Sequence, residues 1–246
     1  MRKTVLALAM VLGSLMLSAQ TPSAAKIIEE LDKNMVLGNS KATTRMIVHT
    51  RRASRTMEVV SYMAGNEKSF SEYLSPPRER GTKMLKLGKD LWIYDPSSDR
   101  TIQISGNMLK QSVMGSDLSY EDMMEESSYA EDYTAEILED AEFDGRDVWI
   151  LKLTARRDNV SYQVRKVYVD KERYVPLYEE WYAKSGKLLK TFHASDIRRI
   201  SGRWQPMKIL FKDELKDGNG TQYIIDELEI DIEIPDHIFS RASLRK

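Results

Sequence analysis

Three hydrophobic patterns succeed one another along the chain. Residues 4–17 (TVLALAMVLGSLML) are almost wholly apolar; Ala25, Ile28, Leu31 and Met35 then recur at helical spacing; from Lys41 the period shortens to two. The middle pattern predicts one amphipathic helix of roughly four turns, opened by Thr21, Pro22 and Ser23 and stopped at Gly38. The period of two predicts strands near 42–52, 55–64, 67–74, 82–87, 90–94 and 100–104, and again near 133–143, 147–156, 160–169, 174–182, 187–199, 204–214 and 221–234. Turn signals such as Gly65-Asn66, Ser75-Pro76-Pro77, Asp144-Gly145, Ser201-Gly202 and Asp217-Gly218-Asn219-Gly220 divide them. Strands joined by tight turns run antiparallel, so the expected product is a long meander that curls into a barrel or half-barrel.

Residues 106–128 interrupt the meander. Ser119-Tyr120-Glu121-Asp122 has the spacing of an N-capping box and predicts a short helix there, flanked by loop. A last turn is expected over 235–239, before a basic tail of Arg241, Arg245 and Lys246.

The apolar run at the start follows Met1, Arg2 and Lys3 and is shorter than the ~20 residues a bilayer-spanning helix needs. Positive residues, a short apolar run and then Ser18-Ala19-Gln20 describe a cleavable export signal, with cleavage expected after Ala19, or at Ala25 as second choice. This divides the chain into a signal peptide, 1–19, and a single domain, 20–246, working in the periplasm. No second apolar run of that kind follows, so no transmembrane segment is expected in the mature form.

Composition narrows the chemistry. There is no cysteine, which removes disulfides, thiol catalysis and lipidation at a processed N-terminus together. Net charge is −1, or −3 once Arg2 and Lys3 leave, which offers no electrostatic footprint for nucleic acid. His49, His193 and His237 lie far apart with no metal-ligand spacing, so neither metal nor cofactor is expected. No nucleophile elbow surrounds Ser116 in Gly115-Ser116-Asp117, and no catalytic residue is assigned. Glu227, Glu229, Asp231 and Glu233 alternate with Leu228, Ile230, Ile232 and Ile234, the pattern of a strand with one wet face; Asp117, Glu121, Asp122, Glu125 and Glu126 read as a solvated helix.

Methionine is more informative. Of 13 in the chain, three fall in the signal, and most of the others lie on predicted strands or in the interrupting segment. Met is flexible and polarizable, suited to apolar ligands of variable shape and equally to filling a core.

The stretches Leu74-Ser75-Pro76-Pro77-Arg78-Glu79-Arg80-Gly81, Leu91-Trp92-Ile93-Tyr94-Asp95-Pro96, Arg100-Thr101-Ile102-Gln103-Ile104 and Met114-Gly115-Ser116-Asp117-Leu118-Ser119-Tyr120-Glu121-Asp122 occur in order. Together they resemble the outer membrane lipoprotein-sorting protein family, a LolA-like branch of the LolA/LolB superfamily. That resemblance implies a mainly β (α+β) fold: a strongly curved antiparallel sheet forming an unclosed half-barrel, covered by a few helices, around an apolar hollow for acyl chains. It also implies a non-enzymatic carrier of lipoproteins or lipids between an inner-membrane ABC transporter and an outer-membrane acceptor. The candidate lining residues are Met46, Val48, Met57, Val59, Met63, Leu85, Leu87, Leu91 and Ile93 on strands, with Met108, Met114, Leu118 and Met123 from the interrupting segment as a gate. Which face of each strand is concave stays open, as does the side taken by Trp92 and Tyr94. The competing readings are a periplasmic envelope scaffold that binds protein without lipid, and a lipid hydrolase using Ser116.

Intact-mass measurement of protein recovered from the periplasm is expected to give a chain starting at Gln20, with no acyl adduct. A mass that includes residues 1–19 overturns the processing expectation.

Overall fold

The computed structural model describes residues 21–125, 128–158 and 160–245. The signal segment, its cleavage position and Glu126 lie outside the described residues. The predicted helix is α1 (Ala24–Met35), and the Ser23 hydroxyl caps it by accepting the Lys26 N–H at 3.2 Å. Lys26 and Lys33 flank Glu30 on its wet side. Ile27, Ile28 and Leu31 form its buried stripe.

The strands are β1 (Asn39–His49), β2 (Ser54–Ala64), β3 (Lys68–Ser75), β4 (Lys83–Leu87), β5 (Asp90–Asp95) and β6 (Arg100–Ile104), then β7 (Tyr133–Phe143), β8 (Arg146–Ala155), β9 (Val164–Asp170), β10 (Pro176–Tyr182), β11 (Leu188–Ile200), β12 (Arg203–Asp213) and β13 (Gly220–Ile230). All 13 belong to one antiparallel sheet in the order β6-β5-β4-β3-β2-β1-β13-β12-β11-β10-β9-β8-β7, which is not closed into a barrel. Every consecutive pair is a hairpin except β6 and β7, which are the two edges. The chain closes on itself at the centre instead, where β1 pairs with β13.

Local chemistry explains the tight turns. At β7–β8, Asp144 and Gly145 both have left-handed backbones (φ 50° and 70°), as the two-residue turn that matches strand twist requires. Gly220, at the start of β13, is forced by a close approach: a Cβ there would lie 2.5 Å from the Phe211 carbonyl oxygen. Two strands are shorter than the alternation suggests. The Gln163 side chain donates to the carbonyls of Asp158 and Val160, and β9 begins only at Val164. Asp231 takes a left-handed φ of 59° and turns the chain out of β13.

The curved sheet is covered on both faces. On the inner face, the α1 stripe packs on Trp149, Leu151, Leu153, Val167 and Val169 of β8 and β9, with Tyr129 and Tyr133 closing the cluster. Each such aliphatic burial contributes about 1.5–3 kcal/mol. On the outer face of β3–β5, the C-terminal residues Ile234, Ile238, Phe239 and Leu244 cover Phe70, Leu85 and Trp92, and Arg241 lies 5.4 Å over the Trp92 ring.

Asp170, at the end of β9, is fully buried and accepts four bonds: two from Arg146 (2.9 and 3.2 Å) and the N–H groups of Glu172 and Arg173 (both 2.9 Å). Burial pushes its carboxyl upward, but the Arg146 guanidinium and the two N–H donors outweigh it and hold the group below the usual range. The native state therefore takes up this proton at lower pH than the unfolded chain. The stability it confers is present above pH ~4 and is lost as pH falls through the depressed value. Asp170→Asn is expected to cost on the order of 2 kcal/mol at neutral pH, with the difference from wild type narrowing below pH ~4; urea melts across that range check it.

Candidate functional site

The pleat sorts the inner face residue by residue. Met46 stands opposite both Met57 and Tyr223, Met84 opposite Ile93, and Leu91 opposite Lys86 and Ile104. Over this half of the sheet lies the segment joining β6 to β7. It holds 3-10 turns at Gly106–Lys110 and Val113–Gly115 and two short helices, α2 (Tyr120–Met124) and α3 (Tyr129–Asp132). The capping box is formed, with Ser119 and Asp122 bonded reciprocally. Val113 and Tyr120 descend from this segment into a cluster with Met46, Val48, Met57, Val59, Tyr73, Met84, Leu91 and Ile104.

Of the residues singled out in the sequence, Met46, Val48, Met57, Val59, Leu91, Ile93, Met108 and Met114 meet in that one cluster. Met63 lies half-buried at the far end of β2, opposite Ser40. Leu118 joins a neighbouring inner cluster with Tyr162, Trp181 and Phe192. Leu85 and Leu87 are not brought into that cluster. They lie on the outer face with Trp92 and Tyr94, beneath the C-terminal residues. Met123 is 37% exposed on α2, while Met124 packs inward. The alternation in Met84-Leu85-Lys86-Leu87 suggests the opposite parity, because a lysine is expected to face water. Lys86 instead faces in and donates to the carbonyls of Asn66 (2.8 Å) and Met124 (3.1 Å). Tyr73, Met84, Ile104, Val113, Tyr120 and Tyr223 are among the cluster members absent from the sequence-based candidates, as are Leu109 and Met124 packed against them.

The sequence motifs converge on fastening the segment. Glu79, from the Pro76-Pro77 turn, holds the Arg55 guanidinium at 3.2 Å, and Arg55 donates to the Met114 carbonyl. Met114 adopts a left-handed backbone (φ 50°), and Gly115 follows at φ 73°. Asp117 is the anchor: its carboxylate accepts the Asp213 N–H (2.9 Å) and the Thr221 hydroxyl (2.7 Å), and its own N–H donates to that hydroxyl oxygen at 3.0 Å. Lys216 donates to the Ser116 carbonyl at 2.8 Å and the Ser112 hydroxyl at 2.6 Å.

Comparison with solved structures reports this same architecture. A putative outer membrane lipoprotein-sorting protein domain from Vibrio parahaemolyticus is 26% identical, with a TM-score of 0.77 over 91% of this chain and 98% of its own. A LolA superfamily protein from Nitrosomonas europaea is 26% identical, with a TM-score of 0.74 over 90% and 99%. The chain belongs to the LolA-like outer membrane lipoprotein-sorting protein family. A DUF1329 family protein from Desulfovibrio piger shares the fold at 22% identity and a TM-score of 0.81 over 90% and 97%. A family model described as "Uncharacterized protein" matches residues 65–246 of the LolA-like chain. A search of curated proteins finds no match.

Between the two apolar clusters, the inner face carries a buried polar band. Arg165 (β9) donates to Glu125 at 2.9 Å and faces Glu179 at 3.8 Å, with the Trp181 and Tyr133 rings 4.7 and 5.1 Å from its guanidinium carbon. Glu179, fully buried on β10, accepts from the Tyr129 hydroxyl (2.5 Å) and the Trp181 indole N–H (2.7 Å). Burial pushes its carboxyl above the usual range, against the pull of Arg165. Lys190 (β11) and the Tyr162 hydroxyl both bond Asp122. Beside this band, a cleft of about 330 Å³ opens among Leu109, Met124, Tyr129, Tyr133, Val160 and Arg165.

Ser116 is fully buried, and its hydroxyl is engaged with Leu118, at 3.2 Å from both its carbonyl and its N–H. His49 pairs with Ser54 and His193 with Asp144. Among the described residues no group of three His, Asp or Glu side chains is placed to hold a metal, and no helix is long and apolar enough to cross a membrane.

Asp117→Ala leaves the Asp213 N–H and the Thr221 hydroxyl without their acceptor, a loss of about 1–3 kcal/mol concentrated on the fastening of 112–124. Amide exchange there is expected to accelerate by about 10- to 100-fold, while β8 and β9 keep their protection. Uniform acceleration across the sheet overturns the anchor role.

Proposed function

We propose that this LolA-like chain is a non-enzymatic periplasmic carrier. It takes acyl chains of lipoproteins or lipids into the hollow between its inner face and the 106–125 segment, and moves them from the inner toward the outer membrane. The observation that carries the reading is the methionine-rich inner cluster: Met46, Met57 and Met84 from three strands, roofed by Met108, Val113 and Met114 from the single connection that is not a hairpin. Thioethers on the floor accommodate chains of differing shape. The lipoprotein-sorting description of the Vibrio structure points the same way.

The energetics suit reversible carriage. An acyl group of about sixteen carbons gains on the order of 10 kcal/mol on leaving water. In the closed form, Val113 and the lid methionines occupy the place that chain would take. The cleft of about 330 Å³ is at the lower end of the ~300–1,000 Å³ usual for ligand pockets, so loading requires the segment to lift. Part of the ligand's gain is then offset by apolar lid surface returned to water, which keeps the chain transferable to a membrane or an acceptor. Gly106 and Gly115, both with left-handed backbones, are the pivots of this movement.

One observation favours the scaffold reading: in the closed form the inner face is packed by the protein's own side chains, and β6 and β7 leave two unpaired edges. Co-purification separates the two. Native mass spectrometry of periplasmic protein is expected to show bound acyl species, and Met114→Asp to weaken uptake of a fluorescent fatty acid by on the order of 100-fold with circular dichroism unchanged. Absence of acyl species together with absence of saturable uptake sinks the carrier and leaves the scaffold.

A further inference from the structure

The lid is closed by charge as well as by apolar contact, and the charges are unequally shared. Every carboxylate it lends to the polar band comes from α2 or the residue after it: Asp122 to Lys190 and Tyr162, and Glu125 to Arg165 and, at 3.1 Å, to the Ser161 N–H. The cations belong to the sheet. Arg165 and Lys190 are rooted on β9 and β11 with side chains only 6% and 9% exposed. Lys86 on β4 reaches the carbonyl of Met124 at the end of the same helix. When α2 lifts, Asp122 and Glu125 leave with it, and Arg165 and Lys190 stay on the inner face with Glu179 as the nearest carboxylate fixed to the sheet. The opened hollow is then cationic, and a cargo that covers it shuts Arg165 and Lys190 off from water again.

Cations covered by such a cargo demand an anion, because desolvating unpaired charge is costly. Arg165 is prepared for one. Its Nε is buried and has no hydrogen-bond partner, and four aromatic rings, of Tyr129, Tyr133, Tyr162 and Trp181, hold the guanidinium in place. Lys190 approaches the same Tyr162 ring at 5.9 Å, so the two cations share one aromatic wall. On the lid side this wall is continuous with the methionine floor through Phe211, which contacts both Trp181 and Tyr223, and Tyr223 stands opposite Met46.

We infer that Arg165 and Lys190 form a headgroup subsite for an anionic amphiphile, a carboxylate or phosphate ester carrying a long acyl or alkyl chain, and that Asp122 and Glu125 are its internal stand-ins in the closed protein. This rests on the carrier reading and adds the polar end of the cargo. The acyl chain lies on the Met46, Met57 and Met84 floor. Its anionic head takes the positions vacated by the two lid carboxylates, so that binding and lid release become one exchange of anions.

The test uses the full processed protein and three probes of equal chain length: hexadecanoate, hexadecyl phosphate and hexadecanol, each competing with a neutral pyrenyl alkane. Charge-assisted hydrogen bonds to two buried cations are expected to make at least one anionic probe bind on the order of 10- to 100-fold more tightly than the alcohol. Preference between carboxylate and phosphate tells a fatty acid from a phospholipid source. The paired variant Lys190→Met with Asp122→Asn removes one cation and its stand-in together, leaving no stranded charge, and is expected to bring the anion-to-alcohol ratio toward one. If all three probes bind alike in the wild type, or if the ratio survives in the folded paired variant, the headgroup subsite is overturned and the acyl carrier stands. If none displaces the pyrenyl alkane and that alkane itself does not bind, the carrier reading fails and the subsite with it.

Discussion

The ladder between β1 and β13 holds the molecule's two halves together. Everything before the connecting segment is one meander, β1 to β6, and everything after it is another, β7 to β13, running back toward the start. Only the pairing of the first strand with the last makes them one sheet. Pairing at the seam is irregular, as it is at several other points of the sheet: a bulge falls at Thr43/Thr44, and β12 meets β13 only over Lys208–Phe211. Beyond that short contact the end of α1 takes over. Asn34 accepts the Trp204 N–H at 2.9 Å and donates to the carbonyls of Arg173 and Tyr174. The helix thus satisfies backbone groups that a neighbouring strand would otherwise meet.

An open, curved sheet of this width has an inner face that its own side chains do not span, and the two halves of that face are filled differently. Under α1 the filling is aliphatic and aromatic, tied to a helix with a strong apolar stripe. Under the connecting segment it is methionine-rich, and the covering pieces are short turns held by specific polar fastenings at Asp117, Arg55 and Lys86. Short helices have little stability of their own, so the cover depends on its anchors. The polar band of Arg165, Glu179 and Lys190 lies between these two fillings.

Much of this was legible in the sequence. The period of two, the turn residues and the Ser119 capping box located the strands and α2 to within a few residues, because a half-wet antiparallel strand imposes its alternation directly. The strand order was not legible: hairpin signals speak only of neighbours, and nothing local in Asn39–His49 or Gly220–Ile230 announces that they pair. The parity of β4 misled for a definite reason, since Lys86 points inward to serve the Met124 carbonyl and drags Met84 with it. The aromatic setting of Arg165 was also hidden, because Tyr129, Tyr133, Tyr162 and Trp181 come from four separate elements and loops. Asp122 and Glu125 gave the opposite of their local impression: a run of acids that suggests a solvated helix is turned toward buried cations.

Because β6 and β7 are consecutive in the chain yet sit at opposite edges of the sheet, the connection between them is the one loop whose length sets no strand register. Every other turn fixes a hairpin, where inserting a residue would flip the following strand's side chains to the wrong face. Residues added to or removed from this connection change only the roof. Evolution can therefore resize the space beneath it by insertion and deletion, at no cost to the ladder that carries the fold, which makes this segment the natural place for members of the family to diverge.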